Sequence, residues 1–224
     1  MKPYYQDDAV TLYHGDCREI MPSLGRFDLL LTDPPYLIHA GKGGGAFGSE
    51  RVLVESGGFT DMGVDYGFLD GQDNWFVFCS IRQLVELLTR AEAMPRMNLI
   101  TWHKPNPLPT CNQKYLPDVE YIVHGFGKGR LFGDFKDKFS CIIHPLGDRE
   151  TKHPNEKPMR VIQKLITLGT QPGETILDPF AGSGTTGRAA KDLGRKATLI
   201  EREEKYCEIA ARRMAQGVLD FGTP

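Results

Sequence analysis

Two segments of the chain carry residue types that could do chemistry. The first is Asp33-Pro34-Pro35-Tyr36, which ends the apolar run LLLT. Asp33 supplies two acceptor oxygens, and Pro34 a carbonyl with no N–H of its own to compete. The two prolines, Pro34 and Pro35, stiffen the loop, so these acceptors are aimed before a ligand arrives. Acceptors without a nearby donor suit a substrate –NH2: each takes one hydrogen, and the nitrogen lone pair turns toward an electrophile. Tyr36 offers a face on which a planar base can stack. The competing reading is a proline-stabilised turn with an aspartate at a strand end.

The second segment is ILDPFAGSGTTGRAA. Gly182-x-Gly184-x-x-Gly187 fits a nucleotide-binding fingerprint, and Glu201 lies where a carboxylate at the next strand end can hold ribose hydroxyls. The glycines let backbone approach a ligand, and Thr185 and Thr186 place hydroxyls and N–H groups at a helix N-terminus. No GK[ST] triplet occurs, which excludes a P-loop. NAD and S-adenosylmethionine both suit the loop, but Asp178-Pro179-Phe180 precedes it. A carboxylate at that strand tip would repel a pyrophosphate and suits the ammonium of a methionine moiety, so S-adenosylmethionine is favoured.

The elements that must position these segments follow from periodicity. Strands are predicted over residues 10–14 and 27–32, the latter a continuous apolar run of the kind buried on both faces. A short helix fits 18–24. Residues 74–90 carry apolar residues at helical spacing (Ile81, Leu84, Val85, Leu88), which predicts a helix with Asn74 as its N-cap. Strands are predicted over 97–102, 119–125 and 139–144, and a helix over 158–168. The last part predicts a strand at 174–178, a glycine turn, a helix at 186–193, a strand at 196–201 and a helix at 203–214. That βαβα succession argues for an α/β fold.

Together DPPY and DPFAGSGTT resemble the DNA amino-methyltransferases, which methylate the exocyclic nitrogen of adenine or cytosine. DPPY precedes the cofactor loop, which is similar to the permuted β group of that family. The resemblance extends over HGDCREIMPSLGRFDLLLTDPPY in front and residues 151–214 behind. ITWHKPNPLP looks like the segment after the fifth strand in adenine methylases of the cell-cycle-regulated type. The implied fold is a Rossmann-like S-adenosylmethionine-dependent methyltransferase domain, its sheet mostly parallel with one antiparallel strand and its motif order circularly permuted. The resemblance assigns catalysis to Asp33, Pro34 and Tyr36. It assigns cofactor binding to Asp178, Phe180, Gly182, Gly184, Thr185 and Glu201, and implies that Asp16 lies near the cofactor adenine, although a helix N-cap explains Asp16 as well. His153, Asn155, Lys157 and Pro158 match an HPxxKP motif, where Lys157 could neutralise the methionine carboxylate or be a surface lysine at a helix start. Trp102, Lys104 and Asn106 border the flipped base in the family, although a strand-end tryptophan is more often core. Flipping is required because a paired amine inside a duplex cannot reach the sulfonium.

The chain departs from the family in its target-reading insert, for which only residues 125–152 are available. Lys128, Arg130, Lys136 and Lys138 there could meet phosphates, which binds any sequence. The interleaved Phe126, Phe132, Phe135 and Phe139 are either small-core residues or stacking surfaces. Relaxed or very short site recognition is expected. Residues 37–73 form a glycine-rich acidic stretch (Glu50, Glu55, Asp61, Asp65, Asp70 and Asp73 against Lys42 and Arg51), expected to be a mobile lid or a subunit contact.

Length and composition bound the rest. The 224 residues suffice for a single domain. A net charge of −2 announces no nucleic-acid partner, so DNA must be met by a local patch. The five cysteines are scattered without a CxxC pair, which argues against a disulfide framework or a metal site. No apolar run reaches a membrane span, and residues 1–10 lack a signal-peptide pattern, so a cytoplasmic protein without membrane contact is expected. A homodimer is possible by family resemblance. Adenine N6 is the expected target. Cytosine N4 is the alternative, and RNA or protein a more distant one. The absence of a Pro-Cys pair excludes a cytosine C5 enzyme.

Overall fold

Leu29, Leu30, Leu31 and Thr32 are all buried, and their neighbours explain the run. Leu29 and Leu31 join one apolar cluster, Leu30 the opposite one. A strand alternates its side chains between faces, so a strand covered on both faces must be apolar throughout. Burying each leucine stabilises the sheet by about 2 kcal/mol. The structure is a computed structural model, described here for residues 1–37, 59–60, 64–109, 115–127, 130–147 and 156–216.

In chain order the strands are β1 (Tyr5–Gln6), β2 (Val10–His14), β3 (Leu29–Thr32), β4 (Tyr36–Leu37), β5 (Phe59–Thr60), β6 (Asn74–Cys79), β7 (Arg96–His103), β8 (Val119–Phe126), β9 (Cys141–Ile143), β10 (Thr175–Asp178) and β11 (Lys196–Glu201). The α-helices are α1 (Cys17–Ile20), α2 (Leu84–Glu92), α3 (Met159–Gly169), α4 (Thr185–Asp192) and α5 (Glu204–Ala215). Nine strands form one sheet in the order β1-β2-β11-β10-β3-β6-β8-β7-β9. From β2 to β6 all neighbours are parallel. The expected antiparallel strand is β8, paired with β6 and β7, and the two-residue β1 adds a second at the edge. Residues 36–37 pair in parallel with 59–60 as a separate ribbon.

Helices α3, α4 and α5 supply residues to the cluster on one face of the sheet. Helices α1 and α2 and the 3-10 turn Tyr66–Leu69 supply the other. Gly187 lets α4 lie on the sheet, because a Cβ there would come within 2.5 Å of Leu199 Cδ1.

Two sequence expectations change. Residues 74–79 are strand β6 and not the first half of a helix, which begins only at Leu84. NWFVFC is buried at every position, with Phe76 and Phe78 on one face and Trp75, Val77 and Cys79 on the other. Burial on both faces removes the polar alternation that would have marked a strand. Asn74 is no N-cap: its amide donates to the Asp28 and Gly169 carbonyls at 3.1 and 2.9 Å. Ile81 and Val85 are exposed, while Leu87 and Ala91 face the core.

The end of the acidic stretch is also structural. Tyr66 and Leu69 are core residues, Asp65 caps their turn through the Gly67 N–H, and Asp70 and Asp73 pair with Arg90 and Arg26. Residues 38–58 and 61–63, where a lid was expected, lie outside the described residues. So do Lys128, Cys111, His153 and Asn155. Cys17, Cys79 and Cys207 are buried free thiols, and Cys141 is an exposed one.

Candidate active site

Parallel strands bring their carboxyl ends to one edge of the sheet, where open α/β folds bind ligands. Both motifs sit there, because β3 and β10 are neighbours. The Thr32 hydroxyl donates to Asp178 Oδ1 at 2.7 Å, and the Phe180 N–H donates to the same oxygen at 3.1 Å. Asp178 is buried beneath the loop, and burial pushes its pKa up to about 6. It buckles the two strand tips together.

The glycine loop is held from the next strand. Glu201, at the end of β11, accepts the Gly182 N–H and the Glu203 N–H, each at 2.8 Å. Burial raises its pKa. Gly182 and Gly184 have φ of 53° and 79°, the left-handed region that favours glycine, and a Cβ on Gly184 would meet Ala210 Cβ at 2.9 Å. The Thr185 hydroxyl accepts from Arg213, which also pairs with buried Glu156 at 2.9 Å. Thr186 is buried in the first turn of α4. The Phe180 ring meets Phe68 edge-on at 5.4 Å. Asp16 follows β2, the strand beside β11, and the Gly15 N–H donates to the Glu201 carbonyl at 2.9 Å. Asp16 also caps α1 and pairs with Arg18 at 2.5 Å, which holds its pKa down at about 2.

At the neighbouring tip, Asp33 is gripped on one side. Its Oδ2 accepts from Lys157 Nζ at 2.5 Å, whereas its buried Oδ1 has no hydrogen-bond partner among the described residues. Burial raises the pKa of Asp33, Lys157 opposes that, and Glu120 adds to it. Lys157 precedes α3, with Pro158 as the N-cap, and its ammonium lies 4.9 Å from the centre of the Tyr36 ring. Lys157 therefore faces the acceptor motif.

Two residues of this site stand in no recognised motif. Glu120 accepts the Tyr36 hydroxyl at 3.0 Å and pairs with Lys104 at 2.7 Å and Lys157 at 3.2 Å. Burial alone would raise its pKa, but the two lysines hold it at about 2. Glu120 is the second residue of β8, which runs antiparallel, so the start of this strand and not its end reaches the site. Gln83, in the β6–α2 connection, donates to the Pro35 carbonyl at 3.1 Å while its Oε1 accepts from the Ser80 N–H and hydroxyl. It fixes the second proline of the motif. The faint signal for each was a polar residue beside a buried apolar run.

The remaining expected contacts separate. Trp102 is fully buried in the core, and its indole N–H donates to the His144 carbonyl at 2.8 Å. Lys104 is buried against Glu120. Asn106 makes two bonds to the Leu146 backbone, which tie the post-β7 segment to the chain after β9. Arg130 does not join the site: it pairs with Asp28 and Glu174 at 3.6 and 3.4 Å, at the amino ends of β3 and β10. At about 3.3 Å per residue those ends lie well over 10 Å from Asp33. Lys136 and Lys138 are exposed, as are Phe135 and Phe139, whereas Phe126 is core and stacks on His124. Among the described residues no group of His, Cys, Asp and Glu could hold a metal ion, and no helix is long and apolar enough to cross a membrane.

A permuted, mostly parallel sheet with a glycine loop and an acceptor loop at adjacent strand tips defines a Rossmann-like transferase that uses a nucleoside cofactor. The chain belongs to the DNA methylase family of the N6/N4 type, whose model matches residues 27–212. It is 28% identical to the type II methyltransferase M2.LlaDCHI of Lactococcus lactis subsp. cremoris, over 96% of this chain and 93% of that protein. It is 27% identical to the type II methyltransferase M2.DpnII of Streptococcus pneumoniae, over 95% and 92%. Among solved structures, the M1.HpyAVI–SAM complex superposes with a TM-score of 0.65 at 26% identity, over 92% of this chain and 99% of that one. The PvuII cytosine-N4-specific DNA methyltransferase shares the fold at 17% identity, with a TM-score of 0.69 over 96% and 90%.

Proposed function

We propose that this DNA methylase transfers a methyl group to the exocyclic N6 of a flipped-out adenine. The observation that carries the reading is Asp33, whose Oδ2 is held by Lys157 while buried Oδ1 lacks a partner among the described residues. A buried acceptor without a donor is costly unless a ligand completes it. Oδ1 accepts one amine hydrogen and the Pro34 carbonyl the other. The nitrogen lone pair is thereby withdrawn from the ring and aimed. The amine that gains a methyl must shed a proton, and Asp33 Oδ1 is the acceptor we assign. Tyr36 is the side chain we assign to stack on the base.

The residues of the glycine loop fit S-adenosylmethionine, which supplies the methyl group when bound. The left-handed Gly182 and Gly184 shape the turn, Gly184 by packing its backbone against Ala210 of α5, and Glu201 retains lone pairs for ribose hydroxyls. Thr185 and Thr186 open α4 beside it, Phe180 walls the site, and Asp16 stands at the adjoining tip. Asp178 fixes the loop from beneath.

The choice of adenine rests on aspartate at position 33, where cytosine N4 enzymes more often carry serine. Cytosine N4 is the second reading, favoured by the shared fold of the cytosine-N4-specific enzyme. Phe135 and Lys136 follow Phe132, whose N–H donates to the Leu168 carbonyl at the far end of α3, so they stand with Arg130 at the opposite edge. Lys138 and Phe139, which lead into β9, are the phosphate and stacking contacts we assign within 125–152. So small an insert suits relaxed or very short recognition. The type II relatives support a reading among modification enzymes, and we take the chain to act as a single domain.

The test incubates protein, duplex DNA and labelled S-adenosylmethionine, then identifies the modified nucleoside by mass spectrometry. N6-methyladenine is expected. N4-methylcytosine promotes the second reading, and transfer only to RNA or protein overturns both. Asp33→Ala should abolish transfer and leave cofactor binding nearly intact. Sequencing of methylated positions on naive DNA should show short sites, and a single long site would overturn the relaxed-recognition reading.

A further inference from the structure

Four charged side chains form a line at the carboxyl edge of the sheet: Lys104, Glu120, Lys157 and Asp33. Successive separations are 2.7, 3.2 and 2.5 Å. Two carboxylates and two ammonium groups balance, which lets them share a site with little water. Lys157 stands between two carboxylates. Tyr36 donates its hydroxyl to Glu120 at 3.0 Å, and it stands three residues from Asp33 in the same motif. Both are donors that could close Oδ1 of Asp33 to a substrate. Glu120 accepts from both.

We propose that Glu120 is a positioning residue for the amine acceptor: it shares the Lys157 ammonium and holds the Tyr36 hydroxyl, so that Oδ1 of Asp33 stays open to a substrate N–H. This rests on the reading of Asp33 given above. Glu120 touches neither substrate nor cofactor and acts through Lys157 and Tyr36. The electrostatics have a definite sign. Glu120 repels charge on Asp33 and draws off part of its counter-ion, while Lys157 supports that charge. The other titratable groups facing Asp33 are Cys79 at the end of β6 and Asp178 at the end of β10, and Lys104 acts through Glu120.

The experiment measures the single-turnover rate of methyl transfer to unmethylated duplex DNA as a function of pH. The variants are Glu120→Gln, Lys157→Met and Lys104→Met, with S-adenosylmethionine affinity by calorimetry as the check on folding. In Glu120→Gln, Lys157 and Tyr36 turn to Asp33. The maximal rate falls about tenfold or more, equivalent to about 1.4 kcal/mol, and the acid limb moves to lower pH. In Lys157→Met the counter-charge is lost and the acid limb moves up by about one unit or more. Lys104→Met leaves Glu120 to draw Lys157 away from Asp33, and the limb again moves up. A purely structural role would move no limb. Unmoved limbs, or limbs that move the same way in Glu120→Gln and Lys157→Met, overturn the proposal. If Glu120→Gln loses cofactor binding, the direction in Lys104→Met decides: upward supports the proposal and unmoved overturns it. Absence of wild-type transfer to DNA removes the assigned reaction and this role with it. Normal wild-type transfer with unmoved variants removes the role of Glu120 alone.

Discussion

The Thr32 hydroxyl and the Asp178 carboxylate meet at 2.7 Å across adjacent strands, which joins two motifs 146 residues apart in the chain. Both partners are buried. Thr32→Val keeps the side-chain shape and removes the donor. We expect a loss of about 1–3 kcal/mol in denaturant unfolding, since a buried carboxyl is left short of a partner. Cofactor affinity should fall as well, because the acceptor loop and the glycine loop would no longer share a tether. A variant as stable as wild type would show that the bond is not a tether.

Asp178 makes stability depend on pH. Burial lifts its pKa from 3.8 to about 6. Between those values the unfolded chain binds fewer protons than the folded one, so the stability from this group is full below about pH 4 and is lost as pH rises through 6. A shift of about two units corresponds to roughly 3 kcal/mol. Asp178→Asn keeps an acceptor for Thr32 and Phe180 and removes the charge. It should unfold at higher temperature than wild type at pH 7.5 and not at pH 4. Thermal melts of the cofactor-free protein at both values test this, and equal melting differences would refute it.

Gln83 sets the shape of the acceptor loop from outside it. Its amide donates to the Pro35 carbonyl while Ser80 holds its oxygen. Gln83→Leu should preserve S-adenosylmethionine affinity and slow methyl transfer by about tenfold to a hundredfold, since small displacements of positioned groups cost that much. Gln83→Glu should be worse than Gln83→Leu, because its carboxylate would face the Pro35 carbonyl. The single-turnover rates of the two variants rank them, and the reverse order would count against the role.

Gly187 serves packing. A methyl group there would come within 2.5 Å of Leu199 Cδ1 and 3.3 Å of Met214 sulfur. Gly187→Ala should cost about 1–3 kcal/mol by overpacking. The conservative second change Leu199→Val should recover part of that. Urea unfolding of the single and double variants measures the recovery, and strictly additive losses would rule out the contact as the cause.

Much of the fold was legible without coordinates. LLLT, TILD and KATLIE are apolar runs ended by punctuation, and the glycine loop opens its helix, since these depend on the few residues around each tip. Residues 74–79 carry no strand signal in the sequence, because a strand buried on both faces has no polar alternation and the helical spacing that follows extends back over it.

By itself, the sequence determined which groups stand at each strand tip: Asp33 and Pro34 on a stiff loop, glycines at 182, 184 and 187, and a carboxylate at Glu201. Local residue types and backbone constraints suffice for that. Only the tertiary structure decided which side chains govern Asp33. Lys157, Glu120 and Gln83 come from three separate elements, and Arg130 was drawn to the opposite edge by Asp28 and Glu174. The direction of β8 turned an unremarked glutamate toward the site, and strand direction is set by the pairing of the whole sheet. Burial then made each of those contacts matter, because a charge removed from water must find its partner wherever the fold has placed one.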